Sequence, residues 1–336
     1  MKTLVCTTPG LFEYAERDLP PSGKGNTILR IQRIGICGTD LHGFEGTQPY
    51  FQYPRVLGHE LAAVIEETDA DDFQKGESVT IIPYFHCGEC IACRNGKTNC
   101  CVSINVCGVH IDGGMTEYLS VPSYSLLRCE GLSFDELALV EPFAIGAHAV
   151  RRAAVSGNEF VLVMGAGPIG MGTMEFSRIV GGNVIAMDIN EDRLNFCKEK
   201  LGINHIVNAA SASGNAQLRE ITNGDMPAIV IDATGSLHAI NNGFQYMAQG
   251  GRYVLVGLQK ESISFSHPEF HKREATLMSS RNATKEDFIY VIDCIRKKLI
   301  GPSKYITHRL AFDQVKDRFA DLLNPSGKVI KAMVHM

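Results

Sequence analysis

Residues 160–170 read Phe-Val-Leu-Val-Met-Gly-Ala-Gly-Pro-Ile-Gly, and no other stretch restricts the fold of this chain so tightly. Five apolar residues in a row, without alternation, are what a strand buried on both faces of a parallel sheet requires. Glycines follow at once, and the spacing of apolar residues then predicts a helix running to residue 180. Between a strand and a helix each glycine has a mechanical task. Gly165 permits the tight turn, Gly167 lets a pyrophosphate approach the backbone, and Gly170 allows close helix–strand packing, with Pro168 and Ile169 completing the fingerprint. The helix start offers free N–H groups and a partial positive charge to phosphate. The competing reading is a structural turn ahead of a packed helix.

The same texture continues downstream. Apolar runs at 183–188, 205–208, 228–232 and 252–257 alternate with helical stretches such as 191–200. Alternating β and α elements predict an α/β fold with a doubly wound parallel sheet. Asp188 ends the second strand, where an acid would accept hydrogen bonds from both adenosine ribose hydroxyls and repel the extra phosphate of NADP. That predicts NAD, although the nearby Arg193 offers a charge that could receive such a phosphate. Asp188 could instead cap the next helix.

Up to residue 143 the chain reads differently. Short apolar runs at 27–31, 62–66 and 78–82 lie between turns rich in Gly, Pro and Asp, and helical spacing is absent until 134–138. A compact, β-rich, barrel-like domain is expected. At the other end, 284–298 carries helical spacing at Phe288, Ile289, Ile292 and Ile295. A helical 312–323 and an extended 329–334 are expected to return to the first domain.

The 336 residues suit two domains. A net charge of −5, with acids and bases intermixed, gives no basic footprint for nucleic acid and no polybasic stretch for an anionic membrane. No signal peptide and no spanning run is visible, so the chain is expected to be cytoplasmic. Its eleven cysteines would then be reduced, and a cluster of them points to metal. Cys87-x2-Cys90-x2-Cys93-x7-Cys101 offers four thiolates that can close a tetrahedron, the pattern of a structural zinc site. Cys100 competes with Cys101 for the fourth place. A second set is dispersed: Cys37 in Gly-Ile-Cys-Gly-Thr-Asp-Leu-His (35–42), His59 and Glu60 in Gly-His-Glu, and Glu141 before Pro142. Singly each has an ordinary explanation. Together they offer S, N and O ligands with room for water or substrate, as a catalytic zinc needs.

These motifs, in this order, make the chain similar to the zinc-containing medium-chain alcohol dehydrogenases over nearly its whole length. The resemblance implies a Rossmann sheet inserted into a GroES-like catalytic domain. Its limits would be a catalytic domain at 1–143, a nucleotide domain at 144–283, and a return to the catalytic domain at 284–336. It implies two zinc ions per chain and NAD. Zinc would be held by Cys37, His59 and a carboxylate, with Glu60 and Glu141 both candidates, in turn or through water. Thr39 and His42 would move the substrate proton to solvent, and Asp40 would orient His59 or cap the following helix. Within the family the chain resembles the sorbitol, L-threonine and sugar-acid branch, because Glu141 stands where liver-type enzymes carry a cysteine ligand. Further support lies in residues 46–51, 108–114 and 280–284. Gly43 departs from sorbitol dehydrogenases, which have an aromatic residue after the motif histidine. The expected reaction is hydride transfer from a secondary alcohol of a sugar acid or polyol, foremost an L-galactonate-like hexonate, to NAD. L-Threonine, sorbitol, galactitol and butanediol are alternative substrates, and a redox sensor binding zinc and NAD is the non-enzyme alternative. The only partner implied beyond the small-molecule alcohol is a further copy of the chain, in a dimer or tetramer.

Overall fold

The structure, a computed structural model, describes every residue except Pro49, Pro325 and Gly327, so Pro49 in the 46–51 stretch lies outside the described residues. The chain divides into two compact units, Met1–Pro142 with Thr284–Met336, and Phe143–Ala283.

In the first unit a seven-stranded sheet is built around the long strand Asn26–Ile36. That strand pairs antiparallel with Glu60–Thr68, Tyr118–Pro122 and the C-terminal Lys331–His335. Inward-facing Leu29, Ile31, Ile34, Leu61, Ile65 and Val79 are at most 1% exposed and form its core. Phe12, Phe44 and Phe319 pack with ring centroids 5.0–5.1 Å apart, joining an N-terminal hairpin, the helix Gly38–Glu45 and the C-terminal region. The expected extended tail is present as Lys331–His335. The single helix expected at 312–323 is instead a chain of short turns, 3-10 at Phe312–Gln314, α at Val315–Arg318 and 3-10 again at Phe319–Leu323. Its buried residues, Phe312, Val315, Phe319 and Leu322, keep a helical spacing, and the turns bend to seat them on the core.

The second unit holds six parallel strands. From one edge they run His205–Asn208, Asn183–Asp188, Phe160–Met164, Ile229–Asp232, Arg252–Leu255 and Thr276–Ser279. In chain order this is 3-2-1-4-5-6, the doubly wound arrangement of dinucleotide-binding sheets. Val161, Leu162 and Val163 have no exposed surface, as expected of a central strand covered on both faces. The sequence reading missed the last strand, Thr276–Ser279, an edge strand with exposed ends and only two partly buried apolar residues, which makes no apolar run. Among the described residues no helix is long and apolar enough to cross a membrane.

Candidate functional site

Strand register brings the dispersed set together. Gly35 pairs with Glu60 across the antiparallel strands. Cys37 therefore leaves the end of one strand beside His59, which enters the other. Cys37 Sγ, a His59 nitrogen and a Glu60 oxygen lie within 4.8 Å of one another. His59 and Glu60 are buried, at 5% and 0% exposure.

Asp40 fixes the backbone on both sides of this group. Its Oδ2 accepts the Cys37 N–H at 2.9 Å, which caps the helix Gly38–Glu45, and its Oδ1 accepts the Gly58 N–H at 3.0 Å. The same oxygen lies 3.7 Å from His59 Nδ1, too far for a hydrogen bond but close enough to act on its charge. Asp40 therefore caps the helix, one of the two tasks between which the sequence left the choice open, and acts on His59 through charge and not through a hydrogen bond. Thr39 and His42 lie three residues apart on one side of this helix. His42 is exposed, with Nδ1 3.0 Å from Thr47 Oγ1 and 3.6 Å from Glu45.

The two carboxylates have different partners. Glu60 is held by Lys331, whose Nζ lies 2.6 and 2.8 Å from its two oxygens. Glu141, in the first turn of the helix Val140–Ala153, lies outside the group of three and accepts the Tyr84 hydroxyl. Neither Tyr84 nor Lys331 was singled out in the sequence. The available signal was a lysine opening the apolar strand Lys331–His335, since a lysine is almost never buried unless paired.

The site has an anionic field. Burial opposes a charge on His59, yet Asp40 and the Cys37 sulfur hold its pKa well above the ordinary imidazole value. Lys331 is likewise held high, against its burial, by Glu60 and Cys37. A buried pocket that favours two cationic side chains, and that presents soft, borderline and hard donors together, fits a divalent zinc ion.

Burial, reinforced by Glu60 and opposed by His59, pushes the Glu141 carboxyl up to about 7 from an ordinary 4.5. Between these values the metal-free folded protein keeps a proton that the unfolded chain has lost. This contribution to stability is complete below the unfolded value and disappears as pH rises through the folded one. Glu141→Gln is therefore expected to flatten the fall in Tm of the metal-stripped protein between about pH 5 and pH 8. Melting curves of chelated wild type and variant test this, and parallel Tm–pH profiles would refute it.

Cys87, Cys90, Cys93 and Cys101 come together between the short strands Tyr84–Phe85 and Asn105–Val106. Their sulfurs are 3.5 Å apart for Cys87–Cys101 and Cys90–Cys93, and 4.0 Å for Cys87–Cys93. A tetrahedron with metal–sulfur bonds of about 2.3 Å has edges of roughly 3.8 Å, so the four thiols already match zinc. Backbone N–H groups of Cys87 and Ser103 point at the Cys101 sulfur, and that of Cys90 at the Cys87 sulfur, at 3.3–3.4 Å. Cys101 is buried in this cluster, whereas Cys100 is exposed outside it, so the structure groups Cys101 and not Cys100 with the other three thiols.

In the second unit a cavity of about 480 Å³ is lined by Gly165, Gly167, Asp188, Arg193, Thr234 and His238, among others. Gly165 has φ +94°, a value other residues rarely adopt. A Cβ on Gly170 would fall 1.8 Å from the Gly165 oxygen, so this position requires glycine for packing. A Cβ on Gly167 would meet nothing within 4 Å. The protein's own packing does not demand a glycine there, whereas a ligand at the start of the helix Pro168–Ile179 would. Asp188 accepts the Ala166 N–H at 2.5 Å and the Asn190 N–H at 2.8 Å. Asn190, not Asp188, caps the helix Glu191–Leu201, through the Arg193 N–H.

Comparison with known proteins gives two successive family matches. Residues 23–131 match the family model described as the alcohol dehydrogenase GroES-like domain, and residues 168–297 that described as zinc-binding dehydrogenase. The chain is 42% identical to L-galactonate-5-dehydrogenase of Escherichia coli K12, covering 99% of this chain and 98% of that protein. It is 34% identical to the starvation-sensing protein RspB of the same strain, covering 94% of each. A crystal structure of a short chain alcohol dehydrogenase (rspB) from E. coli CFT073, complexed with NADH, superposes with a TM-score of 0.94. Sequence identity to it is 31%, with 100% of this chain and 99% of that one covered.

Proposed function

We propose, for a chain that belongs to the zinc-binding alcohol dehydrogenase family, that it oxidises a secondary alcohol of a sugar acid, an L-galactonate-like hexonate, with NAD as the acceptor. The observation that carries the reaction is the S, N and O donor set of Cys37, His59 and Glu60 in a buried anionic pocket. Identity of 42% to a named L-galactonate-5-dehydrogenase over nearly the whole chain carries the substrate class.

Cys37, His59 and Glu60 would hold the catalytic zinc, with Glu141 close enough to act on the same charge, and Cys87, Cys90, Cys93 and Cys101 the structural one. A zinc ion held there would supply Lewis acidity toward the substrate hydroxyl, and NAD would supply the hydride acceptor. With Nδ1 nearer Asp40, Nε2 would be the His59 nitrogen left for the metal. The Thr39 hydroxyl receives the hydrogen bond of the substrate hydroxyl. His42, at the exposed end of the relay, delivers the proton to solvent. Gly165, Gly167, Pro168, Ile169 and Gly170 would hold the pyrophosphate and Asp188 the ribose hydroxyls, with Arg193 in the lining of the same cavity.

His110 is suited to orient the substrate. Its Nδ1 accepts the Val106 N–H at 2.9 Å, which assigns the ring proton to Nε2 as a donor. The loop carrying it packs on Gly58, next to His59: a Cβ on Gly108 or Gly113 would fall 2.7 or 2.4 Å from the Gly58 oxygen.

The test is NADH formation by zinc-loaded protein with NAD and a panel of L-galactonate, L-idonate, L-gulonate, galactitol, sorbitol, L-threonine and butanediol. Turnover greatest on a hexonate is expected; turnover confined to L-threonine or a diol would overturn the substrate class. His42→Ala is expected to lower kcat on the order of 10²-fold, the low end of acid–base contributions, and mainly at acidic pH where hydroxide cannot replace the relay. The pH–rate profile of the variant checks this, and an unchanged profile would remove His42 from the path.

A further inference from the structure

We propose that Lys331 is a positioning residue of the metal centre, which keeps Glu60 a displaceable ligand by engaging both oxygens of its carboxylate. The inference rests on the reading that Cys37, His59 and Glu60 hold zinc.

Lys331 is 3% exposed and Glu60 is fully buried. An ammonium has three N–H donors, and all three are committed: to Glu60 Oε1 at 2.6 Å, to Glu60 Oε2 at 2.8 Å and to the Ile36 carbonyl at 3.1 Å. Both carboxylate oxygens are thus engaged by one cation, while one of them also belongs to the donor group with Cys37 and His59. A carboxylate shared in this way donates less charge to a metal than a free one.

The strand geometry protects this arrangement. Glu60 lies over Gly35, where a Cβ would sit 2.0 Å from Glu60 Oε2. Any other residue at position 35 would displace the carboxylate from the lysine. Lys331 reaches the pair from the C-terminal strand, whose next residue, Ala332, is registered against Ile36.

Charge counting says what the lysine does. A divalent cation with one thiolate and one carboxylate is formally neutral and would attract an anionic substrate oxygen poorly. The buried ammonium adds a positive charge beside that group, against the buried Asp40 carboxylate near His59. It also gives Glu60 a partner to which it can return when a substrate oxygen takes its place. A salt bridge serving only to anchor the last strand would do neither.

The experiment places cobalt(II) at the Cys37/His59 position, with zinc kept in the four-cysteine site, and follows the visible spectrum and the cobalt affinity. In Lys331→Met the buried Glu60 charge has only the metal left as a partner. Cobalt is then expected to bind about 10- to 100-fold more tightly, the scale on which groups behind the ligands act. Its spectrum should stop responding to added alcohol substrate. Lys331→Arg should restore the response, and Glu60→Gln combined with Lys331→Met should bind cobalt as Glu60→Gln alone does. A folded Lys331→Met with wild-type affinity and spectrum would reduce Lys331 to a strand anchor and overturn the proposal. If Lys331→Met does not fold, Lys331→Gln is read in the same way: tighter cobalt binding and a lost response to substrate are expected, and wild-type affinity and spectrum overturn the proposal. Wild-type protein that takes up no cobalt outside the four-cysteine site would overturn the zinc reading itself, and this inference with it.

Discussion

Cys37→Ala is expected to lower kcat/KM about 10³-fold or more and to remove one zinc per chain, leaving the fold intact. The size follows from the share of the work given to the metal. A Lewis acid contributes several kcal/mol of charge stabilisation in the transition state, and each 1.36 kcal/mol is about a factor of ten in rate. The fold survives because Cys37 contributes little apolar packing: it is half-exposed and stands outside the buried core of its unit. The backbone there is fixed by Asp40, which caps the helix through the Cys37 N–H and needs no sulfur. Metal analysis, circular dichroism and steady-state kinetics on one preparation check the three parts of the prediction. An active Cys37→Ala enzyme that retains two zinc ions would show that this residue is no ligand. Glu141→Gln makes a useful contrast. Its carboxylate lies outside the group of three and is held by Tyr84, so the variant is expected to keep its zinc.

Cys90→Ser is expected to leave the catalytic ligands in place and to disorganise the four-cysteine lobe. The zinc content should fall from about two to about one per chain, and Tm by on the order of 10 °C. The reason lies in how little else holds that lobe. Ile91 is 65% exposed and Val102 75%, so its larger apolar side chains make no core. Regular structure is limited to the two-residue strands Tyr84–Phe85 and Asn105–Val106, the single turn Ile91–Arg94 and the 3-10 turn Thr98–Cys100. Backbone N–H groups already face the sulfurs, an arrangement that serves thiolates and has little purpose for thiols. Limited proteolysis supplies a local readout: the variant should be cut between residues 87 and 101 where the wild type resists. Equal protease resistance and an unchanged Tm would mean that the lobe is held by its own packing.

Legibility in the sequence followed the range of the interactions. The glycine turn, the four-cysteine spacing and the 183–188 strand are local patterns, and each was readable within about twenty residues. The helix Val140–Ala153 was not read, although it is long, because its early turns are buried almost all round. Such a helix lacks a polar face and loses the periodicity by which helices are recognised. Cys100 and Cys101 differ in exposure, which neighbours in sequence cannot reveal. The role of Asn190 as helix cap freed Asp188 from the competing explanation, and only the side-chain contacts distinguish the two.

The sequence by itself determined which chemistry the chain can carry: soft and borderline metal ligands at family spacing, a phosphate-binding turn, and the two kinds of sheet that present them. Those are properties of residue type and short spacing, and they persist wherever the segments come to lie. The tertiary structure alone decided how each ligand is held. Glu60 meets Lys331 across 271 positions, and Glu141 meets Tyr84 across 57. No local pattern encodes such pairs. They exist because strand register aligns Gly35 with Glu60 and Ile36 with Ala332, and because a buried charge at that point is tolerable only with its counter-charge in contact.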